Sequence, residues 1–233
     1  MIDKALSKIK SFLAGHAGLR NFVRDARWHI KRIPVLRDLS IAFDSYYFSK
    51  TGTERKSDGE LIPDAYFESY ASEISSRAKG DVLDLGCGYG YLTKRIAESG
   101  QVNSIVAMDK IDDFRCHHDK IEYKTGDINL AEIGAHRYDT IVTSEFVEHL
   151  SEENYRVLLG KVARALRPGG SYLGSTPNNP TPYKTFSGSR FHAREYSQKD
   201  LLGLLGKYFH KVEVFPSSVH CLIWEAKSPK ANA

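Results

Sequence analysis

The stretch that most restricts this chain is VLDLGCGYGYL, residues 82–92. It reads as a buried strand that runs directly into three glycines, Gly86, Gly88 and Gly90, and then into a helix. Glycines at such a turn serve either a backbone torsion closed to other residues or the close approach of another group. A strand-to-helix turn of this kind belongs to an α/β fold, and the pattern downstream agrees. DVLDL, SIVAMD, KIEYKTGDI, YDTIVTSE and SYLGSTP read as strands, with helices over 90–99 and ENYRVLLGKVARAL. The second helix has an apolar face at Tyr155, Leu158, Leu159, Val162 and Leu166, and is expected to stop at RPGG. SQKDLLGLLGKYF is a further helix with Ser197 as its N-cap, and KVEVFPS and HCLIWEAK close the chain as a strand pair. Alternating strands and helices predict a doubly wound parallel sheet covered on both faces.

The first 48 residues read differently. Apolar positions at Ile2, Leu6, Ile9 and Leu13, then at Leu19, Phe22, Val23, Ala26 and Ile30, predict two short amphipathic helices separated by Gly15 and Gly18 and ended by Pro34. Residues 1–40 hold nine Lys and Arg against three Asp, a surplus of six; the whole chain is +4, so the remainder carries −2. Basicity therefore belongs to this segment and not to the body. Two parts are expected: a basic helical extension over 1–48 and an α/β domain over 49–233, the latter opening with an exposed loop at 49–60 and a helix near 64–78. No run of about 18 apolar residues is present, so no membrane-spanning helix is expected. Three widely spaced cysteines, Cys87, Cys116 and Cys221, fit a reducing cytoplasm better than a disulfide framework. Basic amphipathic helices also suit peripheral contact with a membrane surface.

The second strand ends in Asp109, 19 residues past Gly90. An acid at that place can accept both hydroxyls of a ribose. The nicotinamide fingerprint GxGxxG does not match, because Tyr91 stands where its third glycine would be. VLDLGCGYG, Asp109, TGDI, FVEHL and LRPGGSYLGSTPN, in that order, resemble the class I S-adenosylmethionine-dependent methyltransferases over about residues 60–227. The resemblance implies a Rossmann-like sheet of seven strands, the last antiparallel. It also implies that Asp84 and the turn Gly86, Cys87, Gly88 and Gly90 hold the methionine part of S-adenosylmethionine, that Asp109 holds the ribose, and that Asp127 and Ile128 meet the adenine edge. Glu145, at the end of the fourth strand, joins this set. Read by their residues alone, Asp84 serves equally as a strand-end cap and Asp127 as the turn residue of TGDI.

The same strand end carries a candidate for the chemistry. In SEFVEHL, Glu145, Glu148 and His149 are spaced i, i+3, i+4, which places them on one side of a helical turn. Two carboxylates and an imidazole suit a divalent ion such as Mg2+ or Mn2+. This ExxEH pattern resembles O-methyltransferases of ubiquinone synthesis and of small-RNA 2′-hydroxyls; in the RNA group a metal-binding His follows the fifth strand, which HAREYS matches at His192. The implied metal set is Glu145, Glu148, His149 and His192, and the implied catalytic set is His149, Glu145 and His192. EHL also occurs without metal; His149 is then a general base or a substrate contact, and His192 a lid residue near a helix start. Cys116, His117 and His118 form a weaker cluster, read as an exposed loop. A metal-like set favours an oxygen acceptor: a small molecule, a sugar or a lipid-linked compound. RNA is disfavoured, since the body lacks a broad basic path. Other readings are a nitrogen acceptor and a non-catalytic cofactor-binding subunit. The N-terminal extension reads as a cap over the substrate or as a membrane contact, and the aromatic runs FDSYYF and PDAYFESY as pocket lining or core.

Overall fold

The computed structural model describes residues 65–110, 115–181, 189, 191–218 and 220–230. The extension over 1–48, the loop at 49–60 and FDSYYF lie outside the described residues. The described elements are α1 (Ala65–Arg77), β1 (Gly80–Leu85), α2 (Tyr91–Glu98), β2 (Val102–Asp109), β3 (Ile121–Thr125), β4 (Tyr138–Ser144), a 3₁₀ turn (Val147–His149), α3 (Glu152–Ala165), β5 (Leu166–Pro177), α4 (Gln198–Leu205), β6 (Phe209–Ser218) and β7 (Cys221–Pro229).

The strands form one seven-stranded sheet in the order β3-β2-β1-β4-β5-β7-β6. β3, β2, β1, β4 and β5 pair in parallel, and β7 is antiparallel to both β5 and β6. The order reverses between β1 and β4, so a crevice opens at their carboxyl ends. Side-chain alternation divides the core into two layers. Leu83, Ile141, Tyr172, Leu222 and Trp224 pack with Tyr155, Leu159 and Val162 of α3 and Leu201 and Leu205 of α4. Val82, Val142, Leu173 and Ile223 pack on the other face with Ala71 and Ile74 of α1 and Leu92 and Ile96 of α2. A strand period of two forces this division, and burying both faces is what keeps a parallel sheet dry.

Two boundaries differ from the sequence reading. α3 ends at Ala165, and β5 begins at once, running through RPGG with Gly169 at φ 82°. Pairing of Leu166 with Tyr138 explains this: the glycines form an irregularity inside a strand and not a loop before it. α4 stops at Leu205, and Phe209 already belongs to β6. Ser197 caps α4 as expected, accepting from Asp200 N at 3.1 Å.

Candidate active site

The turn after β1 resolves what its glycines do. All three have left-handed torsions, with φ 81° at Gly86, 53° at Gly88 and 80° at Gly90. A Cβ on Gly86 would enter the Phe146 ring, and one on Gly90 would strike the Tyr123 hydroxyl. Among the described residues, a Cβ on Gly88 would meet nothing within 4 Å. Two glycines are thus demanded by the protein's own packing, and at the third no described residue blocks an approach to the backbone.

The acids flank this turn. Asp84 is buried on the α2 side and accepts from Thr93 Oγ1 at 2.6 Å. Burial raises its pKa to about 6, against the Thr93 bond, and the Asp109 charge adds to the rise. Asp109 accepts from Gly88 N at 2.9 Å, which ties the tip of the turn to the end of β2. Cys87 is half-buried, and burial pushes its thiol up, away from reactivity. Asp127 is exposed and its Oδ1 accepts from Asn129 N at 2.9 Å and Nδ2 at 3.0 Å, the turn role open to it from sequence. The Ile128 side chain packs into the core.

Beyond β4 the four residues of the expected metal set separate. Glu148, His149 and His192 place one ligand-type atom each within 4.8 Å of one another. Glu145 stands outside this group. The 3₁₀ turn begins only at Val147, and Glu145 precedes it at φ 50°, so the i, i+3, i+4 geometry holds for its later members alone. The Glu145 carboxylate instead accepts from Tyr66 OH at 2.5 Å and Ser175 Oγ at 2.9 Å. Burial raises its pKa while these two bonds oppose the rise.

The histidine pair is held from behind. His149 Nδ1 lies 3.2 Å from the Phe191 carbonyl, and His192 Nδ1 lies 2.6 Å from Glu195 Oε1. Each ring is thus held through Nδ1. The rings meet edge to face at 5.1 Å. Glu148 is 1 % exposed, accepts from Thr176 Oγ1 at 3.1 Å, and lies 4.0 Å from His149 Nε2. Burial, with the Glu145 charge, pushes the Glu148 carboxyl well up, whereas burial lowers His149. The Glu148 carbonyl also accepts from Ala193 N and Arg194 N at 2.7 and 3.1 Å, so the loop bearing His192 is pinned to this turn. The sequence reading took Tyr66 only as part of the aromatic run PDAYFESY, and gave no role to Thr93, Ser175, Thr176 or Glu195. Glu195 had a signal, three residues after His192; the others are hydroxyls whose partners lie on distant elements. Of the weaker cluster, Cys116 is buried and His118 Nδ1 faces Lys120 N at 3.2 Å, a loop arrangement.

The glycine turn opening α2 is hydrogen-bonded to the acid ending β2, beside the reversal of strand order between β1 and β4. Residues 63–216 match the family model described as a methyltransferase domain. This chain belongs to the class I S-adenosylmethionine-dependent methyltransferases. Among relatives of this chain is a Mycolicibacterium smegmatis protein named "Probable S-adenosylmethionine-dependent methyltransferase", 34% identical over 148 residues that cover 60% of this chain and 56% of the relative. A ubiquinone biosynthesis O-methyltransferase of Nitrosospira multiformis is 34% identical over 122 residues, 49% of this chain and 50% of the other. The match thus spans about half the length of these relatives. The N-methyltransferase NodS of Bradyrhizobium japonicum, solved with S-adenosylhomocysteine, shares the fold at a TM-score of 0.59 with 17% identity, covering 75% of this chain and 94% of NodS.

Proposed function

We propose that this chain transfers a methyl group from S-adenosylmethionine to a hydroxyl oxygen of a small-molecule, sugar or lipid-linked acceptor, with a divalent ion held by Glu148, His149 and His192. The observation that carries the oxygen reading is the histidine pair tethered through Nδ1 around a buried carboxylate. Likeness to ubiquinone O-methyltransferases supports it. Glu148 fits a cation on energetic grounds: burial and the Glu145 charge disfavour its ionised form, and a bound cation offsets both. Mg2+ or Mn2+ held by these residues would supply Lewis acidity toward the acceptor oxygen.

The chain's own residues do the rest. Gly88 leaves room at the backbone, Asp109 accepts the ribose hydroxyls, Asp84 and the turn with Cys87 seat the methionine part, and Asp127 and Ile128 border the adenine. Methyl transfer from a sulfonium is an in-line displacement, so fixing donor and acceptor supplies much of the rate. Thr176, Glu195 and the Phe191 carbonyl keep the three side chains converged.

A second reading has its own support. Burial lowers His149, so its Nε2 is neutral at pH 7 and suited to take the hydroxyl proton without metal. Transfer from donor carrying a 13C-methyl group, into polar and lipid extracts, tests both. A methoxy signal that disappears on chelation, returns with Mg2+ or Mn2+ and is lost in Glu148→Ala is expected. Full activity in chelator with inactive His149→Ala establishes the base reading, and an N-methyl signal overturns oxygen transfer.

A further inference from the structure

A cavity of about 270 Å³ lies at the amino end of β4, lined by Glu132, Ile133, Gly134 and Ala135 of the loop before that strand and by Lys161 and Arg164 of the last turn of α3. The seven residues of β4, roughly 20 Å of strand, separate this loop from the segment bearing Glu145 and Glu148. The loop is fixed on α3. His136 N donates to the Arg164 carbonyl at 2.9 Å, Arg137 N to the Ala165 carbonyl at 2.8 Å, and His136 Nδ1 lies 3.1 Å from the Leu166 carbonyl. Gly134 at φ 78° and His136 at φ 49° both take left-handed torsions, uncommon for a histidine. Lys161 Nζ donates to the Asn129 and Ala131 carbonyls at 2.8 and 3.0 Å, which holds the ammonium at the cavity and leaves one of its three N–H groups. Among the described residues, nothing accepts from the Arg164 guanidinium or from the N–H groups of Gly134 and Ala135. Arg137 stands beside them, its Cδ 3.8 Å from where a Cβ on Gly134 would be and its guanidinium over the Tyr138 ring at 5.6 Å. Among the described residues, Lys161, Arg164 and Arg137 enter no ion pair. With Glu132 counted against them, the place holds a surplus of two positive charges on a body that carries −2 beyond residue 40.

We propose that this cavity binds the phosphate group of a phosphate monoester. Such a group carries roughly two negative charges at pH 7 and three strong acceptor oxygens. Its charge matches the local surplus. Its oxygens take the donors that the protein leaves over: one N–H of Lys161, the fork of Arg164, and the N–H groups of Gly134 and Ala135. The rest of the lining suits the organic part. Ile133 and Ala135 offer apolar contact to a carbon skeleton, and the Glu132 carboxylate can accept from a hydroxyl. The site shares no residue with the donor turn or with Glu148, His149 and His192, and does not depend on the acceptor.

Titration of the 15N-labelled full chain with glycerol 3-phosphate, at constant ionic strength and followed by amide spectra, tests this. Saturable shifts are expected at the Gly134 and Ala135 amides. Glycerol, the same skeleton without the phosphate, should move neither. Arg164→Glu should weaken the ester about tenfold or more, the size of one charge-assisted hydrogen bond. Arg164 and Arg137 are both exposed, so reversing either charge leaves the core intact. Should Arg164→Glu fail to fold, Arg137→Glu decides by the same criterion. Vesicles containing phosphatidic acid carry the same group on a lipid. Saturation by the soluble ester identifies a free ligand, whereas binding to these vesicles alone, lost in Arg164→Glu, identifies a headgroup. Binding of neither probe, shifts that leave Gly134 and Ala135 unmoved, equal shifts with glycerol, or undiminished affinity in the charge-reversed chain overturns the proposal.

Discussion

Gly88 and Asp84 carry the sharpest expectations at the scale of single residues. Gly86→Ala and Gly90→Ala push a methyl group into Phe146 and Tyr123 at left-handed torsions, so each should cost stability, about 2–4 kcal/mol from backbone strain plus overpacking. At Gly88 a Cβ meets no described atom within 4 Å, so the cost of Gly88→Val in thermal unfolding should be close to that of the torsion, about 1–2 kcal/mol. Its loss should appear in titration with S-adenosylhomocysteine, where the branched side chain fills the approach to the backbone. Retained affinity in a folded Gly88→Val protein would remove the donor from this turn. Asp84 makes a pH-dependent forecast. Its folded pKa of about 6 lies above the unfolded value, so the folded state binds the proton more tightly. Its favourable contribution is full below pH ~4 and is lost as pH rises through about 6, at most about 3 kcal/mol. Asp84→Asn should therefore stabilise the ligand-free chain at pH 7.5 and do so hardly at all at pH 4, as read by denaturant unfolding. An equal effect at both pH values would contradict the buried-acid account.

At the scale of elements, the loop from Phe191 to Tyr196 and α4 act as one unit. Ser197 caps α4, while the start of the loop is bound to the Glu148 carbonyl. Ser197→Ala removes one hydrogen bond to an orphan helix N–H, a loss of about 1 kcal/mol. Differential scanning should show a drop of about 2–4 °C. Affinity for S-adenosylhomocysteine should not move, because the residues proposed to hold the donor, the glycine turn after β1 and Asp109, belong to other elements. A fall in affinity larger than about twofold would mean that the loop reaches the donor.

The whole molecule offers two measurements. A ligand that binds only the folded chain stabilises it by mass action, so S-adenosylhomocysteine at a hundred times its dissociation constant should add about 2.7 kcal/mol. No rise in melting temperature would count against donor binding. Deleting residues 1–40 separates the roles proposed for the basic extension. As a membrane contact, its removal abolishes sedimentation with anionic vesicles and leaves donor affinity intact. As a cap, its removal lowers turnover and thermal stability without altering vesicle binding. Among the described residues no helix is long and apolar enough to cross a membrane.

What the sequence by itself determined is local. Alternation with period two and period 3.6 set the strands, the apolar face of α3 and the cap of α4, because these depend on neighbours within a few positions. Order along the chain set the family, since five short motifs in sequence leave little room for another α/β fold. Only tertiary structure decided which glycines the protein's own packing demands: Phe146 and Tyr123 lie 60 and 33 residues from the glycines they crowd. It likewise parted Glu145 from Glu148 and His149. Helical spacing predicts a shared side only if the helix is present, and here the chain enters it two residues too late. Tyr66, 79 positions away, takes that carboxylate instead, through a contact that no periodicity encodes.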